Sequence, residues 1–177
     1  MPARICIQWG MAKEWIEQLA EGIKQRNHEA AEEYGRAQHY AGIVSAQGKE
    51  FFVALVQALQ ENVDGLRAQL QGDPASSETR VQTSKADEVK ITRSRFPWVD
   101  ARLTHHEETI ALEYAKGPGV KAAGVVGDAP ERQTASFAFR VAADDTLSVE
   151  DAFAEPPRIY ATPEELARKI TEMLFAA

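Results

Sequence analysis

Cysteine is almost absent from this sequence, and long hydrophobic runs are absent altogether. The one cysteine among 177 residues, Cys6, can form neither an internal disulfide nor a zinc site built from cysteines. No apolar run approaches the ~18 residues that a membrane-spanning helix needs. The first nine residues lack the basic region and the small-residue cleavage site of a secretory signal. We therefore expect a reduced, cytoplasmic location.

Positive charge is also scarce, because 20 Lys and Arg residues stand against 27 Asp and Glu residues and the formal net charge is −7. Proteins that bind nucleic acids usually present a positive face that releases counterions from phosphates. An acidic surface repels anionic membranes. We therefore expect neither a nucleic-acid partner nor a membrane partner. The apolar content of 44% is nevertheless typical of a folded globular chain.

Proline is missing between Pro2 and Pro74, and this stretch has the apolar spacing of a helix. Its early apolar positions advance in steps of 4, 3, 4, 3 and 4, which is a heptad seam. These positions are Ile5, Trp9, Ala12, Ile16, Leu19 and Ile23, and Arg26 interrupts the series where the next would fall. Gly72 and Pro74 form a stop signal. The sequence therefore predicts a helical region over residues 1–72.

Two helical arrangements fit this region. A single helix over residues 3–71 would be roughly 100 Å long and could hide its seam only against another chain. Alternatively, the chain folds back as a helical hairpin near Gly42, Ser45 and Gly48, since glycine costs about 1 kcal/mol relative to alanine within a helix. The hairpin is the preferred interpretation. A hairpin buries only one side of each helix, so it still needs the C-terminal half or a second subunit as its partner.

The second half of the chain has the composition of a linker followed by strands. Residues 73–88 contain one large apolar residue, Val81, and are predicted to be a linker. From residue 89 to residue 177 the apolar period becomes two, which is typical of half-buried antiparallel strands. The alternating positions are Val89 and Ile91; Val99, Ala101 and Leu103; Ile110, Leu112 and Tyr114; Phe137, Phe139 and Val141; and Leu147 and Val149. They predict a sheet of about four or five strands.

The C-terminus carries the clearest local signal. Thr162, Pro163 and Glu165 form a capping box with proline at the first helical position. Leu166 and Leu174 belong to an apolar stripe that also contains Ile170 and Met173, and this stripe must pack on something. The predicted fold class is therefore α+β: a long N-terminal helical hairpin or single helix, then an antiparallel sheet with a C-terminal helix packed on it.

The densest cluster of titratable side chains is His105, His106, Glu107 and Glu108. Adjacent residues of a strand face opposite sides, so the two histidines could not share a metal ion in extended structure. A polar turn is the favoured interpretation, and a metal-assisted hydrolase using this cluster is the alternative function. We predict no catalytic residue, no metal ligand and no cofactor.

One further pattern concerns ligand binding. Arg93 and Arg95 share their parity with Val99, whereas Phe96, Trp98 and Arg102 have the other parity. A bulge or turn near Pro97 is the favoured reason, because a regular strand would turn both arginines toward the apolar face. Otherwise the sheet presents arginines beside aromatic rings, which suits an anionic or peptide ligand. The candidate ligand-binding residues are Arg93, Arg95, Phe96, Trp98 and Arg102.

The long seam and the lack of a convincing catalytic set lead to one functional expectation. We expect a non-enzymatic interaction module that forms a homo-oligomer or docks a protein partner through its N-terminal helices. A small anionic or peptide ligand is expected on the sheet.

Overall fold

The computed structural model describes residues 5–70, 79–94, 98–117 and 131–176, with side chains from Glu14 onward. In these segments the chain forms two helices and seven strands, and the fold class is α+β, as predicted. The elements are α1 (Ile5–Gln69), β1 (Arg80–Lys85), β2 (Glu88–Arg93), β3 (Trp98–His105), β4 (Thr109–Gly117), β5 (Gln133–Val141), β6 (Leu147–Asp151), β7 (Arg158–Tyr160) and α2 (Pro163–Phe175).

The chain divides into two compact units, residues 1–42 and residues 43–177. The first unit contains the N-terminal part of α1, and none of its described side chains, from Glu14 to Gly42, is buried. The second unit contains the remainder of α1, the sheet and α2. The predicted division into 1–72, 73–88 and 89–177 stays a prediction.

The sheet is an antiparallel meander in which each strand pairs with the next, in the order β1 to β7. The alternating apolar residues of the sequence lie on one face of it, as the pairs Ala101 with Tyr114 and Leu103 with Leu112 illustrate. Because side chains alternate along a strand, the same alternation leaves polar residues on the other face. The five predicted strand patterns correspond to β2 through β6.

Two helical segments supply the rest of the core in the second unit. The buried side chains of α1 are Val44, Phe51, Phe52, Leu55, Ala58, Leu59 and Val63. Phe51 and Phe52 contact the sheet through the rings of Phe139 and His105, respectively. The buried side chains of α2 are Leu166, Ala167, Ile170 and Leu174, and this helix lies against β3 and β7. The two helices meet where Asn62 Nδ2 donates a hydrogen bond of 3.3 Å to Thr171 Oγ1.

The preferred helical hairpin is wrong, and the alternative of a single long helix is correct. α1 is assigned without interruption through Gly42, Ser45 and Gly48. The reason is visible at Gly48, where an added Cβ would lie 3.3 Å from Cε2 of Phe139. This glycine permits a close approach between helix and sheet instead of forming a turn. Long as α1 is, no helix among the described residues combines the length and the apolar content that crossing a bilayer requires.

Both edge strands were missed by the sequence prediction. β1 lies inside the predicted linker 73–88, and of its residues only Val81 is half-buried. β7 has three residues, and only Tyr160 is buried. Neither strand has enough alternating apolar positions to produce a period of two.

The predicted capping box at α2 is confirmed. Thr162 Oγ1 accepts a hydrogen bond of 3.3 Å from the backbone N–H of Glu165, and Pro163 is the first helical residue. The Glu165 carboxylate in turn accepts a hydrogen bond of 2.8 Å from the backbone N–H of Ala161. Backbone donors on both sides of the helix start are thereby satisfied.

Candidate interaction surfaces

The first unit exposes large apolar side chains on one side of its helix. Trp15 is 63% exposed, Ile16 57%, Leu19 and Ile23 44% each, and Tyr34 65%. At about 100° per residue, these five positions fall within an arc of about 100°. We call this arc, over residues 15–41, the apolar stripe.

The remainder of the apolar stripe contains small and charged residues. Ala30, Ala37 and Ala41 fall within the same arc, and all three are exposed. Two charged residues, Arg26 and Glu33, interrupt it. The opposite side of the helix is polar, and there His28 Nε2 lies 3.2 Å from Glu32 Oε1. The described part of the first unit is therefore amphipathic, with its apolar side uncovered.

In the second unit, His105 occupies an aromatic pocket between α1 and the sheet. Its ring stacks on Phe52 with a centroid separation of 5.4 Å, and it meets the ring of Phe139 edge-on at 5.8 Å. Its Nε2 is buried and makes no hydrogen bond within the described part of the chain. Burial lowers the pKa of His105, and the charges of His106 and Lys49 lower it further. The imidazole is therefore held in its neutral form near pH 7.

The remaining members of the predicted titratable cluster do not join His105. His106, Glu107 and Glu108 are exposed, and the backbone N–H of His106 donates to the carbonyl of Thr109. Within the segments that the structure describes, no group of three or more His, Cys, Asp or Glu side chains could hold a metal ion. The hypothesis of a metal-assisted hydrolase therefore finds no ligand set in those segments.

The candidate ligand-binding residues do not form one surface. Arg93 lies opposite Val99 and Arg102 lies opposite Lys90 in the β2–β3 ladder, so the two arginines fall on opposite faces of the sheet. Trp98 is only 9% exposed, and a Cβ added at its cross-strand neighbour Gly117 would collide with its indole ring. Arg95 and Phe96 lie outside the described residues.

A cavity of about 450 Å³ is present where β1 begins, β2 ends and β3 begins. Its lining residues include Arg80, Lys90, Arg93 and Asp100. By the strand register, Arg93 lies on the apolar face of the sheet, whereas the other three lie on the polar face. Asp100 lies 3.7 Å from Lys90 Nζ and 3.4 Å from an amino group of Arg132. Of the cationic lining residues, the predicted ligand set included Arg93. It missed Arg80, because that residue falls within the predicted linker.

No protein-family model, curated protein or solved structure matches this chain. Over the described residues the chain is an α+β protein, in which a long N-terminal helix precedes a seven-stranded antiparallel sheet and a C-terminal helix.

Proposed function

We propose that this protein is a non-enzymatic interaction module that self-associates through the apolar stripe of α1. The supporting observation is the exposure of five large apolar side chains on one arc of a unit that has no buried side chain from Glu14 to Gly42. Contiguous exposed apolar surface usually marks an interaction site. A stripe that repeats in steps of 4 and 3 suits a second helix of the same kind.

The distribution of side-chain sizes favours a second copy of the same chain in antiparallel orientation. Four of the five large residues, Trp15, Ile16, Leu19 and Ile23, lie in the first half of the stripe. The second half contains Ala37 and Ala41 and one large residue, Tyr34. An antiparallel partner sets large residues against small ones, which lets two helices approach and fill the space between them. A parallel partner would set alanine against alanine and leave that space unfilled.

The charges within the stripe favour the same orientation. Arg26 and Glu33 are seven residues apart and occupy equivalent heptad positions. In a parallel pair, each would face its own copy and repel it. In an antiparallel pair, Arg26 of one chain approaches Glu33 of the other, and both charges gain an opposite partner.

Sedimentation velocity of the full chain and of two variants tests this proposal. We expect the 19.5 kDa chain to sediment as a dimer at micromolar concentration. Leu19→Lys should raise the dissociation constant by about a hundredfold or more, because each of two copies loses at least ~1.5 kcal/mol of apolar burial. His28→Lys, on the polar side of the helix, is the matched control and should change the constant by less than about threefold.

Two outcomes would contradict the proposal. A wild-type chain that stays monomeric at all concentrations up to the solubility limit would exclude self-association. If Leu19→Lys and His28→Lys formed dimers with the same dissociation constant, the contact between the chains would lie away from the apolar stripe.

A further inference from the structure

The edge strand β1 directs backbone hydrogen-bonding groups away from the sheet. Along an antiparallel ladder, the N–H and C=O groups of successive residues point alternately to the two sides of the strand. The N–H of His105 donates to the carbonyl of Asp87, so by alternation the odd-numbered residues of β2 face β3 and the even-numbered ones face β1. As far as Thr83, the register sets the even-numbered residues of β1 opposite them. The N–H and C=O groups of Val81 and Thr83 therefore point to the outer edge.

These outward groups are available for pairing. In the described part of the chain, neither Val81 nor Thr83 makes a backbone hydrogen bond outside the β1–β2 ladder. Thr79 has the same parity, and its carbonyl accepts from a guanidinium N–H of Arg67 instead of from β2. This contact agrees with the direction assigned to the odd-numbered residues. The open stretch of the edge is therefore Val81–Thr83.

The opposite edge strand, β7, offers fewer such groups. The same alternation, carried through β5 and β6, sets Pro157, Ile159 and Ala161 outward. Proline has no N–H, and the N–H of Ala161 already donates to the Glu165 carboxylate. Of these three residues, Ile159 alone keeps both groups for a further strand. Between the two described edges, β1 is the one suited to strand addition.

We propose that the outer edge of β1 binds an extended, acidic segment of a partner protein as an additional strand. Extended segments join exposed sheet edges through main-chain hydrogen bonds, while side chains beside them provide specificity. β1 contains Arg80 and Lys85 and no acidic residue. Arg80 is exposed, lies opposite the uncharged Thr92, and forms no salt bridge within the described residues. A carboxylate placed opposite Arg80 would therefore gain a cation that has no other partner there.

The same cations favour this partner over a second copy of β1. Two copies of β1 paired with each other would gather Arg80 and Lys85 of both chains at one junction, and like charges on neighbouring strands are destabilising. Lysine on an edge strand opposes such self-pairing. The side chain of Val81 is half-buried and lies on the face of the sheet opposite to Arg80, so it suits an apolar neighbour. The fitting segment therefore alternates acidic and apolar residues.

Titration of the full chain with a capped peptide in which glutamate and valine alternate, followed by amide NMR, tests this proposal. We expect saturable shifts that are largest at the amides of Val81 and Thr83, and slower hydrogen exchange of both. N-methylation of the peptide's valines, whose N–H groups face β1 when a valine lies beside Val81, should raise the dissociation constant at least about tenfold. N-methylation of its glutamates, whose N–H groups face away, is the matched control and should change the constant by less than about threefold.

Substitutions in the protein test the same edge. Thr83→Pro removes an outward N–H that takes no part in the β1–β2 ladder, so it should raise the dissociation constant about tenfold and leave the sheet intact. Thr83→Val keeps this N–H and is its control. Arg80→Gln should raise the constant about threefold, whereas Arg168→Gln, which removes an exposed charge from α2, should leave it unchanged.

Three outcomes would overturn the proposal. The first is a titration without saturable shifts at β1. The second is equal binding of the two N-methylated peptides, because binding would then depend on charge and not on strand addition. The third is slower hydrogen exchange at Val81 and Thr83 as the protein concentration rises without peptide, because the edge would then be covered by a second copy.

Discussion

The imidazole of His105 stacks on the ring of Phe52, with centroids 5.4 Å apart and planes inclined by 28°. This contact joins α1 to the end of β3, and Phe139 closes the pocket from β5. A protonated imidazole would place a charge among aromatic rings, with its buried Nε2 unpaired. The contact between helix and sheet therefore depends on the protonation state of one side chain.

We predict that the second unit loses stability as the pH falls below about 6.5, the ordinary pKa of histidine. Burial lowers the pKa of His105 in the folded chain; His106 and Lys49 lower it too, and Asp87 opposes them. The folded state therefore binds fewer protons than the unfolded state, so the free energy of unfolding rises with pH. The contribution is fully present above about pH 6.5 and is lost as the pH falls from there through the folded pKa.

Urea unfolding at pH 7.5 and at pH 5.5 measures this effect. His105→Phe should reduce the difference between the two pH values, because phenylalanine keeps the stacking and cannot be protonated. His106→Gln is the control and should keep most of the difference, since burial is the largest cause of the lowered pKa. An unchanged pH dependence in His105→Phe would show that other groups produce it.

Gly48 and Gly65 should respond in opposite directions to alanine. Both lie in α1, where replacing glycine by alanine gains about 0.5–1 kcal/mol in the absence of new contacts. A Cβ at Gly65 meets nothing within 4 Å, so Gly65→Ala should raise the free energy of unfolding by that amount. A Cβ at Gly48 would press on Phe139, whose ring is held by Phe51 and His105. We expect Gly48→Ala to lower the free energy of unfolding by about 1 kcal/mol.

Denaturant titrations of the two alanine variants decide this prediction. Equal stabilisation by both substitutions would mean that helix and sheet do not approach closely at Gly48. In that case Gly48→Leu should also leave the stability unchanged. If helix and sheet do approach closely there, Gly48→Leu should lower the free energy of unfolding by about 1–3 kcal/mol.

The cap of α2 provides a third prediction. Thr162→Ala removes the hydroxyl that accepts from the backbone N–H of Glu165 and should lower the free energy of unfolding by about 1 kcal/mol. Thr162→Ser retains the hydroxyl and should change it by less than half as much. Chemical denaturation measures both values. A similar loss in the two variants would indicate that the methyl group, and not the hydrogen bond, matters at this position.

Two leucines of α1 should differ sharply in their effect on folding. Leu59 is 1% exposed and belongs to the core of the second unit, so Leu59→Ala should cost about 2–5 kcal/mol. Leu19 lies in the apolar stripe, and Leu19→Ala should change the stability of dilute, monomeric protein by no more than about 0.5 kcal/mol. Urea unfolding followed by near-ultraviolet circular dichroism compares them. A comparable loss at Leu19 would mean that this side chain is buried within its own chain.

The sequence predicted those parts of the fold that depend on local patterns. The start of α2 follows from Thr162, Pro163 and Glu165, which act within a single turn. Strands β2 to β6 follow from alternation, because one face of each packs on the core. The predicted break of the helix near Gly48 is wrong, because the role of this glycine depends on its contact with Phe139, which is 91 residues away in the chain. A contact at that separation leaves no local pattern.

The candidate ligand residues show the same limit. Arg93 ends β2 and Arg102 lies in β3, and the register of these two strands, which is regular from Glu88 to Arg93, places the two arginines on opposite faces of the sheet. What the sequence did not reveal is the proximity of Arg80, because β1 is a polar edge strand that resembles a linker. A cavity formed by three strands becomes visible only when their pairing is known.

Paramagnetic relaxation in mixed samples tests self-association through the apolar stripe most directly. One chain carries a nitroxide at Glu17→Cys in a Cys6→Ser background, and the other is isotope-labelled without a nitroxide. Any broadening then arises between chains. An antiparallel pair that brings Arg26 beside Glu33 places this label near residues 39–42 of the second copy, about 35 Å along the helix from residue 17. We predict the strongest broadening at residues 39–42. Absence of broadening throughout residues 14–42 would contradict self-association, and broadening centred on residue 17 would contradict the antiparallel orientation.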